Sequence, residues 1–378
     1  FNQSGINYAV WNWNGGNTDG KTYTVKVHDF SGNNRYIFDD FQTEAVTLDL
    51  AEGGTYIFNM DDASNASHPF MIGTTANDNT TAFGSGIVYK LDGVVKTFAQ
   101  YHAGFAAATT RRLEFTIPAS TNNLFYFCYS HSGMGGQINT NSTLGSSNFD
   151  GSVQSAVKAN PTAGFSIVRY PGGQSSPYTI GHGLGVAPKI IITKSITNVV
   201  NWGVYFNILG VNTNWLSLNT SASLGLNGNS EMGGAYAVLN ASTVQMDNAA
   251  FGGTGTSLIM YAFSEVAGYS KFGKYTGNGS TDGTFVFTGF RPAVIILKRT
   301  NTAASWVIHD NKRAGYNGDN DYLHPDLLQA ESDGSTGTLD ILSNGFKLRM
   351  TAGTHNGSGD TFIYLAFAES PFKYARAR

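Results

Sequence analysis

GFSIVRY (164–170) and GYSKFGKY (268–275) open two stretches of sequence that repeat one pattern and decide the fold. Each stretch continues through a β-branched strand and closes on a longer apolar run with an acidic residue: KIIITK at 189–194 and SLIMYAFSEV at 257–266, then AVIILK at 293–298 and TFIYLAFAES at 361–370. Self-similarity at one period is the signature of repeated structural units, which build extended architectures more often than a single catalytic centre. The pattern predicts two β-sandwich or jelly-roll-like modules, 164–267 and 268–378.

Composition excludes several classes of protein. The chain has 378 residues with 41% hydrophobic side chains, enough for two or three cored domains. Its net charge of −3 argues against a nucleic-acid partner, which requires a basic surface. No run of about 18 apolar residues occurs, so no membrane insertion is expected. A single cysteine excludes intrachain disulfides, so the hydrophobic cores alone must stabilise the fold.

Alternating β-branched and aromatic runs dominate the rest of the chain and predict an all-β protein. Turn clusters such as NGG, DGS and GNGS separate these runs. The best helix candidate is short, at 325–330, where a proline precedes DLLQA. The strand candidates outside the repeats are TYTVKV at 22–27, AVTLDL at 45–50, TYIFNM at 55–60, RLEFTI at 112–117 and LFYFCY at 124–129.

The order of these patterns predicts five segments. Residues 1–19 contain the Trp-rich run INYAVWNWNGG, which we expect to be the closing strand of a module upstream. Because Phe1 is not preceded by an initiator methionine, we expect the chain to be part of a longer or processed polypeptide. A β-sandwich follows at 20–140. Residues 141–163 are polar and weakly periodic, which predicts a linker with one short strand before the repeats at 164–267 and 268–378.

One constellation of side chains carries metal chemistry. In LFYFCYSHSGMGG (124–136), Cys128 ends an apolar strand and is followed at equal spacing by His131 and Met134. His68 lies upstream, just after the strand TYIFNM. One thiolate, two imidazoles and a thioether form the ligand set of a trigonal site with a weak axial ligand, which selects copper.

Here the chain resembles the cupredoxins, whose short Cys-x₂-His-x₂-Met loop matches these residues in spacing. The resemblance covers about 20–140 and implies a Greek-key β-sandwich. It implies that His68, Cys128, His131 and Met134 are the ligands of a type 1 copper site. The sequence departs from the family pattern in a long polar insertion at 74–108, which places electron transfer in question. Two alternatives stay open: a vestigial copper site, and a buried, inert cysteine beside a turn.

The remaining candidates are weaker. His182 lies in the Gly-rich segment IGHGLGVAP and has no counterpart in the second repeat, so we expect a turn contact there. The acidic segment 316–326 could bind calcium through oxygen atoms, but without a complete ligand series a solvated loop is favoured. Trp202 and Trp306 occupy equivalent repeat positions and are expected in cores. No catalytic or cofactor-binding constellation recurs, so we expect no enzyme. The aromatic side chains proposed for sugar stacking are Trp215, Tyr236 and Tyr316.

The repeats also resemble modules of tail-fibre-like virion proteins of marine bacteriophages, some of which carry an inserted cupredoxin-like unit. The phrases IGHGLGVAPKIIITK, FTGFRPAVIILKRT and FIYLAFAESPFKYARAR carry this resemblance over about 147–378. It implies a virion-surface structural protein, a tail fibre, spike or capsid-surface fibre, that serves as a scaffold and in host adhesion. Its partners would be other virion proteins, copies of itself in a homo-oligomer such as a trimer, and a host glycan or protein.

Two other functional classes remain as alternatives. The first is a secreted copper-binding electron carrier or copper scavenger with attachment modules at its C-terminal end. The second is a carbohydrate-binding module of a larger degradative enzyme, for which only the composition speaks.

Overall fold

The computed structural model of the chain describes residues 8–16, 20–141, 145–175, 177–207, 215–225, 239–246, 254–313, 317, 320–333 and 337–369. Strands make up 45% and helix 3% of the structure, and the strands form several sheets. The prediction of an all-β chain built from β-sandwiches is confirmed. Among the described residues, no helix is long and apolar enough to cross a membrane.

The first part of the chain forms a six-stranded and a four-stranded sheet. Their strands are β1 (Thr22–Phe30), β2 (Asn33–Phe38), β3 (Leu48–Ala51), β4 (Thr55–Asn59), β5 (Phe70–Gly73), β6 (Ile87–Leu91), β7 (Val94–Lys96), β8 (Arg111–Thr116), β9 (Leu124–Cys128) and β10 (Gly136–Asn141). The strand orders are β2-β1-β4-β8-β6-β7 and β3-β10-β9-β5. The pairs β1–β4 and β3–β10 are parallel, and the other pairs are antiparallel.

One aromatic core fills the space between these two sheets. Alternation along the strands places every second side chain inward, as with Tyr23 and Val25 on β1. Phe58 of one sheet stacks on Phe70 of the other at 5.0 Å between ring centroids. Cys128 and Met134 belong to the same core. Two of the four candidate metal ligands are therefore part of the sandwich core.

The segment 74–108, expected to be a long polar insertion, contains regular structure. It supplies β6 and β7 and a helix, α1 (Phe98–Gly104). Thr97 caps the helix, and its side chain and that of Gln100 form a capping box. The buried ring of Tyr101 anchors the helix in the sandwich core. These elements are not predicted from sequence periodicity because they are short: the strands have five and three residues, and the helix has seven.

The helix expected at 325–330 is wrong. These residues form a turn followed by irregular chain. Leu327 and Leu328 are 42% and 106% exposed, so the segment has no apolar face to bury and nothing to stabilise a helix.

The rest of the chain forms four further sheets. Their strands are β11 (Ser146–Asn148), β12 (Ser155–Asn160), β13 (Phe165–Pro171), β14 (Tyr178–Gly181), β15 (Ile190–Ser195), β16 (Gly203–Phe206), β17 (Trp215–Ser217), β18 (Thr243–Met246), β19 (Ser257–Phe263), β20 (Ser270–Thr276), β21 (Phe285–Phe287), β22 (Pro292–Arg299), β23 (Val307–Asp310), β24 (Leu339–Leu342), β25 (Gly345–Leu348) and β26 (Thr361–Ala368). The orders are β11-β12-β13-β19-β15-β16-β17 and β14-β18, then β20-β26-β22-β23 and β21-β25-β24. The run β13-β19-β15-β16 matches β20-β26-β22-β23, so the two repeats share one strand order.

The stretch 141–163, expected to be a linker with one short strand, contains two strands among its described residues after 144. β11 and β12 pair antiparallel and extend the large sheet of the first repeat at the edge of β13. Their sequences, SSN and SAVKAN, carry little hydrophobic alternation. Their buried positions are filled by the small or polar residues Ser147, Asn148, Ser155 and Ala156, so no large apolar side chain marks them as strands in the sequence.

The two repeats pack on each other through a second aromatic cluster in addition to their own cores. Phe263 of the first repeat and Phe367 of the second contact each other edge to face at 6.0 Å. The buried indole of Trp306 donates to the carbonyl of Ser217 across this contact at 2.8 Å. Trp306 is therefore a core residue, as expected, whereas Trp202 at the equivalent position is only half-buried.

One lysine contact repeats with the modules, from the half-buried Lys194 in the first repeat and the buried Lys298 in the second. Lys194 donates to the carbonyl of Val200, and Lys298 donates to the carbonyl of Ala304, each reaching six residues ahead. Lys298 also bonds the carbonyl of Ser221 in the first repeat at 3.0 Å. These equivalent lysines close the same loop in both repeats, and Lys298 adds a hydrogen bond between the repeats.

The closing strand expected within residues 1–19 is wrong for the part that the structure describes. Residues 8–16 contain no strand. Trp13 instead packs edge-on against Phe263 and Phe367, at 6.0 and 5.3 Å, so the segment lies across the contact between the repeats. Its alternating Trp-Asn-Trp pattern serves aromatic anchoring rather than strand pairing.

Candidate metal centre

Strand pairing brings the predicted ligands to one end of the sandwich. Cys128 is the last residue of β9, and it lies opposite Phe70, the first paired residue of β5. His68 precedes Phe70 by two positions, so the β5–β9 register places its imidazole beside the thiol. His131 follows in the loop that leaves β9. The candidate site thus needs one strand pair and one turn.

The three side chains converge through specific atoms. The Nδ1 atoms of His68 and His131 are 3.1 Å apart. The Sγ atom of Cys128 lies 3.5 Å from Nδ1 of His131 and 3.9 Å from Nδ1 of His68. Cys128 and His68 are buried, whereas His131 is exposed. Among the described residues, these form the one group of three or more His, Cys, Asp or Glu side chains arranged to hold a metal ion.

The separations fit a shared ion. Two nitrogens at about 2.0 Å from one metal lie roughly 3.3–3.5 Å apart, and a sulfur at about 2.3 Å lies roughly 3.5–3.7 Å from each nitrogen. The observed distances of 3.1, 3.5 and 3.9 Å bracket these values. In a metal-free protein, one imidazole would donate a hydrogen bond to the other across the same gap. The donor set therefore suits a soft or borderline metal ion.

Glycines shape the loop that carries His131 and Met134. Gly133 has a φ of +76°, a left-handed conformation that other residues rarely adopt. A Cβ at Gly135 would lie 1.7 Å from the carbonyl oxygen of Tyr126. The loop can therefore turn back along β9 into β10 only with glycine there. Met134 is 2% exposed, and its carbonyl accepts a hydrogen bond from the backbone of Tyr36 at 3.0 Å, which fixes the loop to β2.

Electrostatics keep the surroundings neutral. Burial, with a smaller contribution from His131, lowers the pKa of His68. Burial followed by the neighbouring Cys128 raises the pKa of Tyr36 well above its ordinary value. The Tyr36 hydroxyl stays protonated and donates to the carbonyl of His68 at 2.8 Å. A neutral His68 imidazole, held through its own backbone, is the protonation state that a metal requires.

The segment 74–108 also holds the ligand loop in place. The side-chain oxygen of Asn77 accepts from the backbone N–H of Gly133 at 2.8 Å, and Asn79 donates to the carbonyl of Tyr129 at 3.3 Å. His102 of α1 stacks on the ring of Tyr129 at 3.9 Å. Burial lowers the pKa of His102 to about 4. The sequence does not predict these contacts, because nothing local in the polar segment relates it to residues up to 56 positions away.

The structure shows the contacts of two other predicted sites, His182 and the acidic segment 316–326. His182 is buried; it accepts from the N–H of Leu184 and contacts the carbonyl of Asn240, which confirms the expected turn contact. In the acidic segment 316–326, Asn317 bonds β24, and Asp326 accepts from the N–H of Trp306. Asn317 is thus engaged in the fold through both ends of its amide, and Asp326 through one of its two carboxylate oxygens.

Of the three aromatic residues proposed for sugar stacking, the structure describes one. Trp215 is only 8% exposed and belongs to the core of the first repeat, so its expected exposure is wrong. Tyr236 and Tyr316 lie outside the described residues, as does Asp319 of the acidic segment.

Comparison with known proteins bears on the repeats and not on the metal centre. No curated protein matches the chain, and no solved structure matches it. A family model described as "Domain of unknown function (DUF7483)" matches residues 137–371, from within β10 through both repeats. That match covers more than half of the chain and excludes all four candidate ligands. The chain belongs to this family of unknown function, DUF7483.

Proposed function

We propose that the first sandwich binds one copper ion through His68, Cys128 and His131, with Met134 as a weak fourth ligand. The observation that carries the proposal is the convergence of one sulfur and two Nδ1 atoms within 3.9 Å of one another. Met134 is buried in the same core as Cys128, which suits an apolar axial ligand.

The surroundings of the site support a redox role. When bound, copper would supply one-electron chemistry by alternating between its two common oxidation states. Cys128 and His68 lie in the interior, and His131 alone is exposed. Water is therefore kept from the sulfur, while one imidazole edge remains open to a redox partner. The hydrogen bonds of Gly133 to Asn77 and of Tyr36 to Met134 fix the loop. They limit how far the ligands would move when the copper ion changes its oxidation state.

Titration of the purified chain with Cu(II) tests this proposal. We expect one equivalent to produce an intense visible thiolate-to-copper absorption, which Cys128→Ser abolishes. His68→Gln should lose the band, whereas His28→Gln, a matched substitution on β1 of the same sandwich, should retain it. A parallel zinc titration, followed by competition with copper, determines which metal the site prefers. A colourless Cu(II) complex, or a band that survives in Cys128→Ser, would refute the assignment.

We further propose that the chain is a virion-surface structural protein of a bacteriophage, in which the repeats serve as scaffold and in adhesion to the host. The packing of two like modules through a shared aromatic cluster supports this role, since repeated units suit extended fibres. The resemblance of the repeats to phage fibre modules supports it as well. Fibre modules commonly assemble as symmetric homo-oligomers, so copies of the same chain are expected partners.

Immunogold electron microscopy with an antibody against residues 164–378, on purified phage particles, tests the structural role. Gold on fibres, tail or capsid surface would support it. Gold absent from particles but present in the culture supernatant would contradict it and favour a secreted copper carrier. Light scattering of the purified chain supplies an independent measure, because a compact monomer at high concentration would argue against a fibre.

A further inference from the structure

A cavity of about 410 Å³ lies where the sheets of the two repeats face each other. Equivalent residues of the repeats line it: Ile192 and Trp202 from the first, Ile296 and Trp306 from the second. Each equivalent pair is separated by the same number of positions in the sequence. The cavity is therefore a product of the repeat arrangement rather than an irregular packing defect.

Some lining side chains are only half-buried although they lie in the middle of a strand, where neighbouring side chains usually bury them. Ile192 lies in the middle of β15 and Ile296 in the middle of β22, and both are only half-buried. Trp202 stacks on Tyr261 at 6.3 Å, and both rings border the cavity. Carbon atoms that face a void lose dispersion contacts, which a ligand of matching shape would restore.

The segment 8–16 covers one side of the cavity. Trp11 and Trp13 contribute to the lining, and Trp13 packs against aromatic rings from both repeats. The segment has no strand pairing of its own. Its anchors include ring contacts, such as that of Trp11 with Arg313, and a hydrogen bond from Asn160 to the carbonyl of Asn14. Such a cover can open without breaking a sheet.

The chemistry of the lining defines the class of ligand. No described lining residue carries a charge, and Asn12 is the one amide among them. A charged ligand group would be desolvated there without an ionic partner, which is strongly unfavourable. The volume falls within the roughly 300–1,000 Å³ of small-molecule sites, which are lined mainly by apolar and aromatic side chains. We propose that this cavity binds an uncharged, mainly hydrocarbon small molecule, independently of any metal in the first sandwich.

Two fluorescent probes of the same ring size test the proposal on the full-length chain. 1-Aminoanthracene is uncharged at neutral pH, whereas anthracene-1-carboxylate is an anion. We expect saturable binding of the amine at one site per chain, at least about tenfold tighter than binding of the carboxylate, because the lining offers no cation. Equal binding of both probes, or no saturable binding of either, would overturn the proposal.

Matched variants locate the site. Ile192→Trp fills the cavity from β15 and should weaken 1-aminoanthracene binding at least about tenfold. Ile196→Trp, just beyond the end of the same strand at an exposed position, should bind like the wild type. Ile296→Trp fills the cavity from the second repeat and should weaken binding in the same way. The test can therefore be made even if only one of the two filling variants folds. If both filling variants fold, raise the melting temperature and still bind the probe, the cavity is a structural void and the proposal is wrong.

Discussion

Mild acid should destabilise the second repeat, because it buries two neutral histidines against each other. The Nε2 atoms of His309 and His355 are 3.0 Å apart, and both residues are fully buried. Nδ1 of His355 contacts the hydroxyl of Thr354 at 2.8 Å. Nδ1 of His309 has no hydrogen-bond partner within the described part of the chain. Two tautomer pairs fit these contacts, because the Thr354 hydroxyl can accept from Nδ1 of His355 or donate to it. In both pairs the two imidazoles are neutral and one Nε2 donates to the other.

The size of the effect follows from the pKa of His355. Burial, followed by the nearby His324, lowers this pKa to about 3, from an ordinary value of 6.5. Well above pH 6.5 the His355 imidazole is neutral in the unfolded chain as well as in the folded one. Its burial then causes no pH-dependent loss of stability. As the pH falls from 7 to 5, the unfolded state binds a proton that the folded state does not, so the free energy of unfolding drops by about 2 kcal/mol. Burial, His355, Arg313 and His324 also lower the pKa of His309, which adds a loss of the same sign.

Hydrogen exchange in urea, read by mass spectrometry on peptides from β22 and β26 and corrected for intrinsic rates, measures this loss at pH 7 and pH 5. His355→Gln should reduce it by about 2 kcal/mol, since the titrating group is gone. His102→Gln, whose wild-type pKa is about 4, should change the pH dependence of the first sandwich and leave these peptides alone. Should His355→Gln retain the full wild-type loss, the buried pair is not its source; His309→Gln provides a second test if that variant does not fold.

Three further substitutions test individual contacts. Gly135→Ala forces a Cβ into a backbone carbonyl 1.7 Å away and should lower both stability and copper uptake, whereas Gly84→Ala, where the space is open, should be silent in thermal melts. Lys298 is fully buried, and desolvation lowers its pKa to about 8. Between pH 8 and 10.5 the lysine is protonated in the unfolded chain only, so the free energy of unfolding should rise by about 1.4 kcal/mol per pH unit. Lys298→Met should flatten that slope in urea titrations. Trp306→Phe removes a buried N–H bond and should cost about 1–3 kcal/mol in denaturation, more than Trp202→Phe at the half-buried equivalent position.

The sequence predicted what depends on local spacing. Cys128 ends a strand and His131 and Met134 follow within six residues, so the apolar run and the glycines around them suffice to group the three. The position of His68 after a strand predicts its place near the same strand end, and the β5–β9 pairing brings it to Cys128. The all-β class and the repeat followed from alternation and self-similarity, which are properties of the sequence itself.

What the sequence did not predict depends on contacts between distant segments. Nothing near His309 signals its pairing with His355, 46 positions away, because each lies in an ordinary apolar or polar stretch. The first repeat has the buried Tyr205 at the position of His309. Comparison of the two repeats therefore predicts a buried residue at this position but not a histidine pair. The segment 8–16 has strand-like alternation, but Trp13 finds ring partners from two sheets, and tertiary packing overrides the local pattern.

The candidate copper site and the repeats share structure across the boundary that composition suggested near residue 140. Ser147 of β11, in the large sheet of the first repeat, accepts from the Tyr23 hydroxyl and from the backbone of Asp49, both at 2.8 Å. The ring of Phe149 stacks on Phe38 at 5.9 Å and belongs to the core that contains Cys128. A fragment that ends at residue 140 would lose these contacts and leave a gap in that core. The metal chemistry of the sandwich is therefore a property of the chain that includes β11, and a colourless fragment would not count against copper binding by the intact protein.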